Sequence, residues 1–324
     1  MARVVWALGC IGAVASLAAS TACVKDDTST QITVAIWSEA QVPNQMNAIE
    51  VKVFASDGSL KIDQRYPVSN AGGGEGEAQS FPATLSVVPS DSSSLDAPVT
   101  VEVDGISGAD VNGQGGQLAL LRRAVVSFVQ DRSLYLPMPL RMACLSQLDC
   151  STSESCVGGT CVSADVSASS LADYTPAVLF GLTPGASCFS EEMCLAGSTP
   201  VTVTPVLDTS GAVTDCTFPL PASASSANVS VQWKSDSGRI VALDSNSPLE
   251  GWTVDSTHTN VGHLSLGACE AITEPQTTGA EPYVPDKALS AWVSTACPAK
   301  TPLQPFCPQA DGEIGTGVAI PTTN

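Results

Sequence analysis

The sequence predicts a mainly β protein: an N-terminal β-sandwich, a small disulfide knot, and a second, disulfide-braced β-rich module. Three observations point there. Apolar residues recur at every second position in short runs broken by Gly, Ser, Asp and Asn, the pattern of half-buried strands. Only 14% of the residues are charged, and so few Lys, Glu and Arg beside abundant Val and Thr disfavour long solvated helices. Twelve cysteines are present, yet none lies between Cys23 and Cys144. A long early segment must therefore fold without cross-links, while the remainder is dense in them.

Taken in order, residues 1–22 are a processing signal. Arg3 supplies the positive end, and the apolar run 4–19 is shorter than the roughly 20 residues of a membrane-spanning helix. Ser20-Thr21-Ala22-Cys23 resembles the lipobox of bacterial lipoproteins. The resemblance implies that Cys23 becomes the lipidated first residue, with residues 23–29 as a tether. Ser20 and Ala22 also suit an ordinary signal peptidase. Parity favours lipidation: Cys10 leaves with the signal and an acylated Cys23 cannot pair, so ten cysteines remain, enough for five disulfides. Ordinary cleavage would leave eleven. Two or more acyl chains anchor a protein stably where one does not. Val24, not Asp, follows the cysteine, which by the same resemblance implies the outer membrane.

Without the signal the chain carries 12 basic and 32 acidic residues, a net charge of −20. That sign repels phosphate backbones and excludes nucleic acid as a partner. Disulfide-forming cysteines fit an exported protein in an oxidising compartment.

Residues 30–141 form the first module, a sandwich of immunoglobulin or transthyretin-like type. Ile32, Val34 and Ile36 alternate with Thr33 and Ala35. Ile49, Val51 and Val53 alternate with Glu50 and Lys52, and Ser56-Asp57-Gly58-Ser59 then turns the chain into a strand at 60–66. Phe81, Ala83, Leu85 and Val87 follow, then Val99, Val101 and Val103, then Ala124, Val126 and Phe128. Leu134, Leu136, Met138 and Leu140 complete about seven strands, the number of a small sandwich. Pro137 and Pro139 take the outward parity, which places the last strand at an edge. Residues 71–79 and 107–117 are glycine-rich loops. Asp110 and Asn112 hint at a calcium loop, but the spacing lacks the full ligand pattern and its distal Glu, so a polar turn is expected.

Residues 142–163 form the knot, with Cys144, Cys150, Cys156 and Cys161 spaced by five, five and four residues. No close CxxC pair is present, so disulfides are expected and zinc is not. The stretch resembles small Cys-rich modules of EGF-like or EB-like type. Of its three possible pairings, the interleaved one, Cys144–Cys156 with Cys150–Cys161, is the one expected here. Residues 164–176 read as a Ser/Ala/Asp linker.

The second module spans residues 177–307. Strands are expected at 201–207, 228–234, 239–243, 252–255, 261–266 and 288–295, with turns at Asp208-Thr209-Ser210-Gly211 and Asp236-Ser237-Gly238. Cys188, Cys194, Cys216, Cys269, Cys297 and Cys307 leave fifteen connectivities open. Residues 273–285 read as a long surface loop and 308–324 as a disordered tail.

Chemistry is sparsely signalled. His258 and His263, the only histidines, would face opposite ways on one regular strand and so share no metal unless a turn intervenes. A hydrolase would need one of them, with Ser265, Asp255 or Asp244 nearby in sequence, yet neither G-x-S-x-G nor H-E-x-x-H occurs. Glu191-Glu192 reads as solvated charge. Trp233, Trp252 and Trp292 offer aromatic faces for a sugar. Trp233 follows the apolar parity of its strand and belongs to a core, leaving Trp252 as the one expected to be exposed. The overall plan resembles cysteine-rich bacterial surface lipoproteins. The reading is an exported envelope lipoprotein with no catalytic residue, metal or cofactor. It would be held to the membrane by its lipid and would engage an envelope protein or glycan. The alternative is a hydrolase using His258 or His263.

Overall fold

The computed structural model is mainly β and describes residues 29–40, 42–43, 45–68, 79, 81–90, 95–145, 147–176, 189–195, 197–221, 228–233, 240–273, 288–302 and 304. Residues 1–22, read as a signal peptide, lie outside these residues, as do Cys23, Cys188, Cys307, the turn expected at Asp236, the tail expected at 308–324 and most of the loops expected at 71–79 and 273–285.

Seven strands open the chain: β1 (Gln31–Ser38), β2 (Ala48–Phe54), β3 (Leu60–Pro67), β4 (Ala83–Val87), β5 (Val99–Ser107), β6 (Gln117–Val126) and β7 (Ser133–Leu140). They form a three-stranded sheet ordered β4-β1-β7 and a four-stranded sheet ordered β3-β2-β5-β6. In β2 the alternation is direct: Ile49, Val51 and Val53 are buried while Glu50 and Lys52 are not. The β2–β3 hairpin is closed by Gly58, whose φ of 78° suits glycine, and by Asp57 Oδ1, which accepts the Ser59 amide at 2.9 Å. The turn near Asp110 is held by hydrogen bonds of its own chain. Asp110 Oδ1 accepts the amides of Asn112 and Gln114, and Arg65 donates to the Gly115 carbonyl at 2.8 Å.

One half-exposed strand was expected at 32–36, yet β1 is buried on both faces from Ile32 to Ser38. It lies in the middle of its sheet, and the face carrying Thr33, Ala35 and Trp37 is covered as well. β7 does lie at an edge and runs parallel to β1. Its outer side is occupied by the stretch read as a linker. Asp173 bridges Leu134, the Tyr135 amide donates to the Ala172 carbonyl, and the Tyr174 ring stacks on Tyr135 at 6.4 Å. The same stretch also closes the free edge of β6, where Val125 donates to Ala164 and accepts from Val166. Residues 164–174 are therefore a strap, not a linker. The reason is physical: the edge strands β6 and β7 offer unpaired amides and carbonyls, and any polar chain nearby gains by pairing with them.

The knot is a hairpin of β8 (Glu154–Val157) and β9 (Thr160–Ser163), preceded by a 3-10 turn at Met142–Cys144. Cys144 bonds Cys156 and Cys150 bonds Cys161, the interleaved arrangement.

Beyond it come α1 (Glu191–Cys194), β10 (Thr199–Val201), β11 (Thr204–Leu207), β12 (Val213–Pro219), β13 (Asn228–Trp233), β14 (Ile240–Ser245), β15 (Gly251–Val254), β16 (Val261–Leu264), α2 (Leu266–Thr273) and β17 (Ala288–Ser294). The strands make one eight-stranded sheet, ordered β10-β17-β13-β14-β15-β16-β12-β11. The single strand expected at 201–207 is in fact two, at opposite ends of that sheet. Pro200 and Pro205, which lack an amide proton, confine β10 and β11 to its edges. Cys194 bonds Cys297, and Cys216 on β12 bonds Cys269 on α2. No helix among the described residues is long and apolar enough to cross a membrane.

Buried residues of all these parts form one continuous cluster, from Ile32 and Leu136 through Cys144 and Cys156 to Phe218, Trp252 and Cys269. The knot joins two cores instead of separating them.

Candidate functional site

The histidines are the natural place to look for chemistry, and period-two geometry assembles a cluster around one of them. His263 on β16 pairs with Thr217 on β12 and with Thr253 on β15. Asp215 lies two residues from Thr217 and Asp255 two residues from Thr253, so both carboxylates share the face of His263. The imidazole spans them: Nδ1 is 2.7 Å from Asp215 Oδ2 and Nε2 is 3.0 Å from Asp255 Oδ2. A turn intervenes after Asp255, as sharing would require, and brings His258 Nδ1 to 3.2 Å from Asp255 Oδ1. Among the described residues, no group of three or more His, Cys, Asp or Glu could hold a metal ion.

Two carboxylates on two ring nitrogens favour the doubly protonated imidazolium, since a neutral ring can donate from only one nitrogen. Burial alone would lower the His263 pKa, but the hydrogen bonds and charges of Asp255 and Asp215 overcome it and raise the pKa. Asp255 is held far below the usual carboxylate range, chiefly by the Thr257 hydroxyl and then by His263. An imidazolium with both nitrogens engaged has no lone pair with which to accept a proton from a nucleophile. Ser265 does not join it: the side chain is buried and its hydroxyl meets no hydrogen-bond partner among the described residues. Thr257 Oγ1 is 2.7 Å from both Asp255 Oδ1 and His258 Nδ1. Its single proton goes to the carboxylate, which leaves the hydroxyl as an acceptor from His258, a polar turn at the surface.

The opposite face of the same strands is core. Trp252, expected to be exposed, is 2% exposed and meets Phe218 edge-on at 6.1 Å. Gly262 leaves room for that ring, since a Cβ there would lie 2.3 Å from Phe218 Cζ. The strand expected at 252–255 is β15, which lies in the sheet interior between β14 and β16 and so buries the Trp252 ring. Trp292 is partly buried on β17, and the Trp233 side chain lies outside the described residues. Glu191 opens α1 and accepts the Ala242 amide at 3.4 Å.

A second constellation was not foreseen. Arg141, just past β7, is buried between the two sheet systems. It donates to Glu39 Oε1 at 2.7 Å and to Asp244 Oδ2. Lys300 Nζ donates to the other oxygen of Asp244, and the Met142 amide donates to Glu39 Oε2 at 2.9 Å. Asp244 and Lys300 are 0% exposed. Burial would push Asp244 up, but the Arg141 and Lys300 cations overcome it and lower the pKa. Burial lowers Lys300 despite the neighbouring carboxylate. Arg141 is raised, because Asp244, Glu39 and Glu250 outweigh the effect of its burial. The charges balance, two against two, which is what makes their burial tolerable. Asp244 had been considered only as a partner for a histidine, and it lies in this network instead. The one sequence signal was Arg141 itself, a lone cation ending an apolar run.

The chain matches no family model, no curated protein and no solved structure.

Proposed function

We propose that this chain is an exported bacterial envelope lipoprotein, held to the membrane through an acylated Cys23, probing or bracing the envelope without catalysis. One observation carries the non-enzymatic part: His263 has both ring nitrogens bound to carboxylates, so it serves as a cross-link between β12 and the turn after β15. His258, the other histidine, has an exposed side chain in that turn. Four disulfides among the described residues suit an oxidising compartment. The first seven strands, in sheets of three and four that feed one core, favour a sandwich of immunoglobulin or transthyretin-like kind. Its partner would be an envelope protein or a glycan.

The test is made in the native cell. Wild type should sediment with membranes and take up labelled fatty acid, whereas Cys23→Ser should do neither. Any envelope phenotype of deletion should be restored by His258→Gln/His263→Gln and not by Cys23→Ser. Restoration by Cys23→Ser, or its loss in the histidine variant, would overturn the proposal in favour of a secreted protein or a hydrolase.

A further inference from the structure

The buried network holds more than a salt bridge requires. Lys300 and Asp244 are both fully buried, with the amine bonded to one carboxylate oxygen and Arg141 on the other. The three groups come from segments remote in sequence, each held independently. Asp244 sits in β14. The Lys300 backbone is pinned because its carbonyl accepts both the amide and the hydroxyl of Ser245, at 2.7 and 2.8 Å. Arg141 is fixed from behind by Glu39 at 2.7 Å. An amine and a carboxyl kept in contact by a rigid scaffold, away from water, meet the positional requirement for condensation.

We propose that Lys300 and Asp244 condense to an intramolecular isopeptide bond. One ammonium proton passes first to Oδ1, and the Nζ lone pair so freed attacks Cγ, forming the N–C bond. Oδ2, held by Arg141, carries the negative charge of the tetrahedral intermediate, an arrangement that stabilises charge where it develops. Oδ1, already accepting from Nζ, takes two of the three ammonium protons in all and leaves as water. Oδ2 returns as the amide carbonyl, still bonded to Arg141. An ammonium and a carboxylate become an amide and a water, so no oxidant, reductant or further reactant is needed. Burial favours the step twice over. It lowers the Lys300 pKa and so makes the free amine accessible. It also removes two of four buried charges and leaves Arg141 and Glu39 as a neutral pair. The product ties β14 covalently to the segment after β17, next to the Cys194–Cys297 disulfide, and unlike that bond it resists reduction.

The test is mass spectrometry of the full chain, purified from the native envelope, reduced, alkylated and digested with trypsin. Residues 240–287 and 288–324 should appear as one branched species, uncut after Lys300 and lighter than the two peptides together by one water. In Lys300→Met, which keeps the length and loses the nucleophile, the peptides should separate. Cleavage after Lys300 in the wild type, giving residues 240–287, 288–300 and 301–324 as three peptides at their sequence masses, would overturn the proposal. A branched species persisting in Lys300→Met would overturn it too. Because the wild-type digest decides alone, the reading survives a variant that fails to fold.

Discussion

Gly267→Ala tests how tightly the knot is seated. The turn between β8 and β9 places Gly158 and Gly159 against Gly267 in the first turn of α2. A Cβ built on Gly267 would lie 1.5 Å from the Gly158 carbonyl oxygen, 2.4 Å from its carbon and 3.1 Å from the Gly159 nitrogen. Two effects compete. Alanine is the better helix former, by about 1 kcal/mol. Against that, the turn and the helix must part by about 2 Å to regain van der Waals distance. All three obstructing atoms are backbone, and the hairpin carrying them is tied by Cys144–Cys156 and Cys150–Cys161, so no side chain can swing away. Overpacking costs about 1–3 kcal/mol, and a rigid obstacle places this site at the upper end. The net destabilisation should be about 2 kcal/mol, which lowers Tm by about 4–8 °C in a folded chain of this size. Thermal unfolding followed by tryptophan fluorescence would measure it, since Trp37 and Trp252 are both buried. Gly58→Ala is the control: its φ is 78° but nothing lies within 4 Å of the added Cβ, so only backbone strain of about 1–2 kcal/mol remains. An unchanged or raised Tm for Gly267→Ala would refute the reasoning, because helix propensity would then have won and the knot would not be seated.

His263→Gln should narrow the pH range of stability in a defined direction. The raised imidazole pKa contributes stability that is full below about pH 6.5 and fades as pH rises through the folded value. The variant should therefore melt lower than wild type near pH 5 and together with it near pH 9, and a constant gap would exclude the ion pairs. Asp104 is pushed up to about 6, chiefly by burial. The folded chain then keeps a proton that the unfolded chain sheds above about pH 4, and stability falls across that window. Asp104→Asn should add about 1–3 kcal/mol at pH 7 and nothing near pH 4, while Lys52 keeps Glu50 at 2.8 Å. Urea titrations at the two pH values decide it, and a loss at pH 7 would be fatal. Arg141→Met removes the only cation hydrogen-bonded to buried Glu39 among the described residues and should cost about 3–5 kcal/mol in the same assay. The cost holds whether or not Lys300 and Asp244 are joined, and a change below about 1 kcal/mol would dismiss the network as a stabilising element.

Strands with clean alternation were legible in the sequence because their burial is one-sided. Val51 against Lys52 declares a face by itself. What failed was every inference needing the far side of a sheet. Thr33 and Ala35 read as outward, yet they are buried under chain that arrives from elsewhere. Trp252 was placed by its neighbours in sequence, and Phe218, its partner in space, lies on a strand not predicted at all. β12 escaped notice because Thr214, Asp215 and Thr217 are polar; only the alternation of Cys216, Phe218 and Leu220 marked it. The histidine cluster was half legible. Asp255 was named beside both histidines, but Asp215 is 48 residues from His263, and no local pattern joins residues so far apart. The same holds for Glu39, Arg141, Asp244 and Lys300, which form a site only once two sheet systems meet.

The cross-links fall where the strand architecture is weakest. β10 and β11, at the ends of the eight-stranded sheet, have three and four residues and are mostly exposed, so those edges bury little apolar surface. Cys194–Cys297 and Cys216–Cys269 sit near them and span 103 and 53 residues. Loop-closure entropy grows with the logarithm of loop length, so such a bond restrains the unfolded chain by about 4–5 kcal/mol, against about 3 kcal/mol for a short loop. The knot disulfides span only 12 and 11 residues. Their larger effect is to stiffen a hairpin that both halves use as a bearing surface. Arg122, on β6, donates to the Cys156 carbonyl at 3.0 Å and to Glu250 at 2.6 Å, so one side chain ties its strand to the knot and to the turn before β15. With the strap closing β6 and β7 on one side and Arg141 bridging Glu39 and Asp244 within, the first seven strands are bound to the rest by contacts they cannot supply themselves. A cut after residue 141 would open two sheet edges and strand a buried cation. The cysteine-free segment thus needs no disulfide of its own, yet depends on the disulfide-rich remainder to complete its surface.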